Sequence, residues 1–269
     1  MLPIAIQLYS LRNEMENDVE STLRAVKEYG YDGVEFAGLC GKTPEEMKTL
    51  LAEIGLVPVS AHIPLVDLRN DIDKVINDYK AVGCKNLVVP YLPDEDRPAG
   101  EGFKKVVADL ENFGAIVRAA GMTLSYHNHD FEFIRMENGE YAFDYLYSNT
   151  TPENLMVQQD TCWVRVAGES PIAYLEKYAN RCPLLHLKDF VGEKSENMYN
   201  LIGIEETKSD APQSFEFRPV GYGVQDFKSI IATAEKCSVE WLIVEQDEPS
   251  MDKTPLECAK MSIEYLKNI

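Results

Sequence analysis

Histidine is scarce in this chain: 269 residues carry only His62, His127, His129 and His186. Basic charge is short as well, with 26 Lys and Arg against 45 Asp and Glu and a formal net charge of −19. So acidic a surface repels phosphate backbones, which excludes a function resting on broad nucleic-acid contacts. The six cysteines, Cys40, Cys84, Cys162, Cys182, Cys237 and Cys258, include no CxxC pair, and four of them sit in apolar runs. Reduced, buried thiols are expected, rather than a disulfide framework or a thiolate metal site. No apolar run is long enough to span a bilayer. The opening MLPIAIQLYSLRNEMEND has no basic start and meets Gln7 after a short apolar run. That predicts a first strand rather than an export signal, and a cytoplasmic protein.

What the chain does contain is a repeated unit. EYGYDGVEFAG, EIGLVPVSAHIP, AVGCKNLVVPYL and AAGMTLSYHNHD each close an amphipathic stretch on glycine and enter a short apolar run. Gly30, Gly55, Gly83 and Gly121 stand where a helix ends on a left-handed residue. Phe103, Val106, Val107, Leu110, Phe113 and Val117 form one helical stripe. Thr43-Pro44-Glu45-Glu46 and Thr254-Pro255-Leu256-Glu257 each give a capping box with proline at the first helical position. Strands are predicted at about 4–9, 33–37, 58–63, 86–91, 123–129, 155–160, 183–188 and 241–246.

Helices between strands imply parallel pairing with helical crossovers. Eight such units in this length close most economically as an α/β fold of the (β/α)8 TIM-barrel type, a single domain over 1–269. A doubly wound open sheet is the alternative, but no GxGxxG loop and no GxxxxGK loop ending in Ser or Thr follows any strand. The rhythm breaks in a long polar loop at about 191–225, expected to cover the barrel mouth as a lid. Its VGYG is a weak candidate for an anion cradle.

In such a barrel the active site lies at the C-terminal ends of the strands. All four histidines fall on predicted strands near their exits. Glu35, Asp160 and Glu245 interrupt or end apolar runs, where a charge needs a partner or a metal. A lone histidine or glutamate there is more often a hydrogen-bonded core residue or half of an ion pair. Strands five to eight, however, would bring His127 or His129, Asp160, His186 and Glu245 to one point. Such mixed nitrogen and oxygen ligands suit one divalent metal: Mn²⁺, Zn²⁺, Co²⁺ or Mg²⁺.

In order along the chain, QLYSLR, GYDGVEFAG, YHNHDFEF, QQDTCWV, LLHLKDF and IVEQD resemble the xylose isomerase-like TIM-barrel superfamily. They come nearest its sugar phosphate isomerase/epimerase branch, alongside ketose 3-epimerases and inosose dehydratases. The resemblance implies a barrel holding one divalent metal through Glu, Asp, His and Glu. In the epimerases two glutamates move protons on opposite faces of the sugar. Asp160, His186 and Glu245 match the second to fourth ligands. His127 stands where relatives reading LEN carry the first carboxylate, and Trp163 stands where epimerases commonly carry histidine.

By resemblance the activity is isomerisation or epimerisation of a sugar or sugar phosphate through α-proton abstraction and an enediolate. Glu245 would be the base, and His127 or His129 would serve the other face or an oxygen. Lys188 would stabilise the enediolate, while Glu35, His62, Tyr91 and Trp163 would line the pocket. The missing carboxylate keeps open a lyase or dehydratase acting on a keto-sugar or inosose, and a sugar-binding barrel without catalysis. A phosphodiesterase like endonuclease IV needs a multi-zinc cluster and basic DNA contacts, which four histidines and a charge of −19 do not supply. A homo-oligomer is expected from the resemblance, with no membrane or nucleic-acid partner.

Overall fold

The computed structural model describes residues 2–195, 198–203 and 214–269. The first half of the chain contains β1 (Ile4–Gln7), α1 (Arg12–Asn17), α2 (Val19–Tyr29), β2 (Gly33–Phe36), α3 (Pro44–Ile54), β3 (Val57–His62), α4 (Leu65–Val82), β4 (Asn86–Val89), α5 (Phe103–Ala119) and β5 (Thr123–His127). The second half contains α6 (Ala142–Ser148), β6 (Met156–Asp160), α7 (Thr161–Val166), α8 (Pro171–Lys177), β7 (Leu184–Leu187), β8 (Asp189–Val191), β9 (Glu216–Arg218), α9 (Phe227–Ala234), β10 (Trp241–Val244) and α10 (Pro255–Leu266). Eight parallel strands close a barrel in the order β1-β10-β7-β6-β5-β4-β3-β2. Strand β1 seals it by pairing with β2 on one side and β10 on the other.

Local chemistry sets the element boundaries. Helices α2, α3 and α4 each end on a left-handed glycine, Gly30, Gly55 and Gly83. Both capping boxes are formed, at Thr43 and Thr254. The apolar stripe of α5 is buried at Phe103, Val106, Val107, Leu110 and Val117.

Along each barrel strand the side chains alternate in and out. Ala5, Val59, Val88, Leu184 and Ile243 pack together as one small apolar cluster. Two positions further toward the strand exits, on the same face, come Gln7, His186 and Glu245. The polar end therefore sits on an apolar plug, at the end where such barrels carry their sites.

Two expectations are corrected. Strand β5 ends at His127, so His129 lies beyond it rather than on it. Glu245 likewise follows the last residue of β10. The segment 191–225 is not one irregular loop. β8 and β9 form an antiparallel hairpin through it, and residues Met198–Ile202 make a 3₁₀ turn. The remainder of the lid assignment, at 196–197 and 204–213, lies outside the described residues. The VGYG does cradle an anion, and the anion is internal. Gly221 and Gly223 donate backbone N–H to Asp189 Oδ2 (3.0 and 2.8 Å), and Gln225 donates to Asp189 Oδ1 (3.2 Å). A side chain at Gly223 would collide with that carboxylate.

All six cysteines are free, and five of them are buried, the exception being Cys40. Among the described residues no helix is long and apolar enough to cross a membrane.

Candidate metal and active site

The floor of the site is organised by Glu35, which is fully buried at the exit of β2. Its Oε1 accepts from Gln7 Nε2 (2.7 Å) and His186 Nε2 (2.6 Å), with His62 Nε2 at 3.0 Å. Its Oε2 accepts from Ser60 Oγ (2.6 Å) and Gln158 Nε2 (2.5 Å). A register shift between Val34 and Glu35 sets Glu35 opposite Ser60. Burial opposes its ionisation, but the facing His62 and His186 outweigh this and hold the carboxyl well below the ordinary range.

This network fixes the ring hydrogens above it. A carboxylate only accepts, so the Gln158 amide must turn its Nε2 to Glu35 and its Oε1 to the imidazoles. That oxygen accepts from His127 Nδ1 (2.9 Å) and His62 Nε2 (2.8 Å). His127 therefore carries its hydrogen on Nδ1 and turns the lone pair of Nε2 toward Asp160 Oδ2, 3.9 Å away. His186 lies between two carboxylates, with Nδ1 3.2 Å from Glu245 Oε2. Burial lowers its pKa, yet Glu35 and Glu245 push it up to about 10.

His127, Asp160, His186 and Glu245 each offer a ligand atom, all within 4.8 Å of one another, and all four residues are buried. Asp160 Oδ1 accepts the Trp163 backbone N–H (2.9 Å), capping α7, while the buried Oδ2 has no hydrogen-bond partner among the described residues. Burial pushes the Asp160 carboxyl up to about 7. An orphaned buried carboxylate oxygen facing an imidazole lone pair costs free energy unless a cation sits there. The donor set thus fits a divalent metal. A second group, His62, His127 and His186, also meets within this distance. In it the facing nitrogens of His62 and His186 are turned to Glu35, and Nδ1 of His127 to Gln158.

Lys188, one residue past β7, is buried between two carboxylates, Glu245 Oε2 (2.9 Å) and Asp247 Oδ2 (2.6 Å). Burial disfavours its charge, but Asp247 and Glu245 hold its pKa well above the ordinary value. The same lysine and His186 hold Glu245 well below the carboxylate range against the cost of its burial. His129 stacks on Phe131 (5.3 Å, interplanar 2°) and meets Tyr91 edge-on (5.0 Å), and its buried Nδ1 has no partner among the described residues. Burial, then the Lys188 charge, lowers its pKa well below the usual value, so its ring is neutral.

A cavity of about 680 Å³ opens over these groups. His62, Tyr91, His127, His129, Lys188 and Glu245 all line it. Glu35 and Trp163, expected in the lining, are instead fully buried behind it. Glu35 braces the floor, and Trp163 packs its ring 5.1 Å from His129 and 5.2 Å from Lys188 Nζ. Asp160 and His186 lie deeper than the lining. From the long segment, Ile202 reaches the cavity and its carbonyl accepts Tyr9 Oη (2.7 Å), so this part stands at the barrel mouth.

Gln158, Asp247 and Asn128, whose Oδ1 receives the Asp160 backbone N–H (2.9 Å), were not singled out from sequence. The alternation of a strand carried a signal for one of them: Gln158 lies two residues before Asp160 on the same face.

The model of the xylose isomerase-like TIM barrel matches residues 23–269. The chain belongs to that family. Among curated relatives it is 26% identical over 274 residues to an inosose dehydratase of Mesomycoplasma hyopneumoniae (strain 7448), covering 91% of this chain and 88% of that protein. It is 31% identical over 173 residues to an inosose dehydratase of Clostridium beijerinckii, covering 62% of this chain and only 54% of the relative's length. A sugar phosphate isomerase/epimerase from Parabacteroides distasonis superposes with a TM-score of 0.79 at 22% identity, covering 99% of this chain and 93% of that one. At that identity the likeness establishes the barrel fold alone. The relatives are enzymes, and their names divide between dehydratase and isomerase or epimerase.

Proposed function

We propose that this barrel is a metal-dependent enzyme that removes the hydrogen next to the carbonyl of a keto-sugar or keto-polyol, with β-elimination as the outcome. The observation that carries this is the buried quartet His127, Asp160, His186 and Glu245 beneath a cavity with Lys188 at its wall. His127 Nε2, Asp160 Oδ2 and a Glu245 oxygen would hold the cation, with His186 Nδ1 joining them once its proton, shared with Glu245, is displaced. When bound, it would act as a Lewis acid on the carbonyl and make the adjacent C–H more acidic. Two imidazoles in the set favour Mn²⁺, Co²⁺ or Zn²⁺ over Mg²⁺.

The chain's own groups divide the remaining work. Glu245 lines the cavity and takes the α-hydrogen as general base. Lys188 keeps that carboxylate ionised and offers its ammonium to the oxygen that gains negative charge. His129 lines the cavity with a neutral ring, so it exchanges a proton with a leaving or arriving oxygen.

Elimination is favoured over epimerisation by the fate of His127. Epimerisation needs a second proton carrier opposite Glu245. His127 has one nitrogen tied to Gln158 and the other turned into the ligand set. The dehydratase names of the curated relatives point the same way. The test is D₂O exchange and product analysis on a panel of keto-sugars and inososes with Mn²⁺-loaded protein. Solvent deuterium in recovered substrate and loss of water or another leaving group support elimination. An isomeric sugar that has lost no group, apart from deuterium taken up at the reacting carbon, would assign epimerisation instead. Turnover with no exchangeable α-hydrogen would sink both.

A further inference from the structure

We propose that the natural substrate is an unphosphorylated carbohydrate of two rings, whose reacting ring lies over His127 and Glu245 and whose second ring occupies an arm of the cavity along α4. This rests on the carbohydrate reading above and adds size and charge to it.

Size is the first argument. The cavity of about 680 Å³ is in the range that encloses drug-sized ligands, roughly 300–1,000 Å³. With a liquid share of about 30 Å³ per water, it holds on the order of twenty water-sized groups, and a single hexose has about a dozen non-hydrogen atoms. A monocyclic sugar placed against the metal quartet leaves the rest of the space open.

The direction of that space is the second. Asp67, Asp71, Lys74, Val75, Asp78 and Tyr79, all from α4, line it. The helix leaves helical geometry at Asp71 (φ −157°, ψ 79°), where the Asp71 carboxylate caps a new start by accepting the Lys74 N–H (2.9 Å). Both halves of the bent helix therefore face the cavity. Val75 and the buried Tyr79 give the arm an apolar surface of the kind on which the C–H face of a sugar ring packs.

Charge decides against a phosphate. The arm carries three carboxylates, Asp67, Asp71 and Asp78, against one ammonium, and Lys74 is already paired with Asp78. The other lysine in the lining, Lys188, is held by Glu245 and Asp247. In the arm a phosphate dianion would meet net negative charge and find no unpaired Lys or Arg among the described residues that line it. Neutral hydroxyl groups match the carboxylates of the arm as hydrogen-bond donors.

Two measurements test this. The first uses metal-free protein and unreactive probes: glucose, glucose 6-phosphate and cellobiose, titrated by calorimetry. Cellobiose should bind about 10-fold or more tighter than glucose, a preference one pocketful of contacts can supply, and glucose 6-phosphate weakest. Glucose or its phosphate binding as tightly as cellobiose would overturn the proposal, whatever the chemistry at the metal. The second compares exchange on 3-keto-glucose and 3-keto-cellobiose for wild type, Val75→Trp and Asn70→Trp, the latter at an exposed residue of α4 that also lines the cavity. Either tryptophan should lower kcat/KM for the two-ring substrate about 10-fold or more and leave the one-ring substrate unchanged, with thermal melts reporting the fold. Equal loss on both substrates, or none, overturns it. So would a change of oligomeric mass in place of ligand preference, which would assign the arm to a second copy of the chain. Absence of exchange on every keto-sugar would count against the proposed reaction and leave the calorimetric result to decide this one.

Discussion

Two layers of the same site treat their polar atoms in opposite ways. Around Glu35 each carboxylate oxygen is matched, by Gln7, His62 and His186 on one and by Ser60 and Gln158 on the other. One layer up, Asp160 Oδ2 and His129 Nδ1 are equally buried and have no partner among the described residues. Burying a polar atom unpaired costs about 1–3 kcal/mol, more for a charged one, so the upper layer is unstable by itself where the lower one is complete. The difference separates two jobs. Matched groups orient their neighbours, and under the proposed function the unmatched Asp160 oxygen faces the metal.

The sharpest way to break this comparison is to strip the upper layer. Asp160→Ala together with His186→Ala removes two of the four convergent donors, and divalent metal should no longer copurify. Metal analysis of the purified variant decides it, and occupancy equal to wild type would move the metal elsewhere. Glu245→Gln follows. The amide keeps an oxygen for ligation but removes the basicity, so turnover should fall by about 10²–10⁴-fold with metal largely retained. A variant at full rate would take Glu245 out of the proton transfer.

The lower layer predicts a smaller and different effect. Gln158→Leu removes the acceptor of the His127 Nδ1–H and one donor to Glu35, without touching a ligand atom. Loss of such a supporting partner typically costs about 10–100-fold in metal affinity. Chelator competition with Co²⁺ measures it, and the visible Co²⁺ spectrum reports whether the ligand geometry survives. Unchanged affinity would make Gln158 a core residue with no orienting role.

How much of this was legible beforehand follows from which forces are local. The barrel was, because glycine caps, capping boxes and apolar alternation are written within a few residues of where they act. QQDT and HLKD also marked their strands, since polar residues at alternate positions of an apolar run must face the interior. The division of labour between His127 and His129 was not, because it turns on β5 ending at His127, and strand ends are poorly marked. Gln158 was hidden for another reason. Its orientation is imposed by Glu35, 123 residues earlier and on a different strand. The β8–β9 hairpin escaped because its strands have three residues each, too few for a period to emerge. Its anchor, Asp189, is met by backbone N–H groups of glycines more than thirty residues away.

Glu132 gives the mildest perturbation of the site and the cleanest proton test of the scaffold. It is fully buried just past β5, accepting from the Tyr126 hydroxyl and from the His129 backbone N–H (2.8 Å). Burial is the main cause that raises its carboxyl from an ordinary 4.5 to about 8. The folded protein therefore keeps this proton over a pH range where the unfolded chain has released it. The stabilising contribution is complete below about pH 4.5, declines as pH rises and is gone above about pH 8. Glu132→Gln is neutral at every pH and retains an acceptor for His129 N–H, so it should lose this part of the slope. Urea unfolding of metal-free protein at pH 5, 7 and 9 measures it, with other titrating groups cancelling between the two proteins. The variant should gain stability relative to wild type as pH rises, while its metal affinity stays unchanged. Parallel pH profiles would mean that Glu132 is ionised in the folded protein, and that its two donors outweigh its burial.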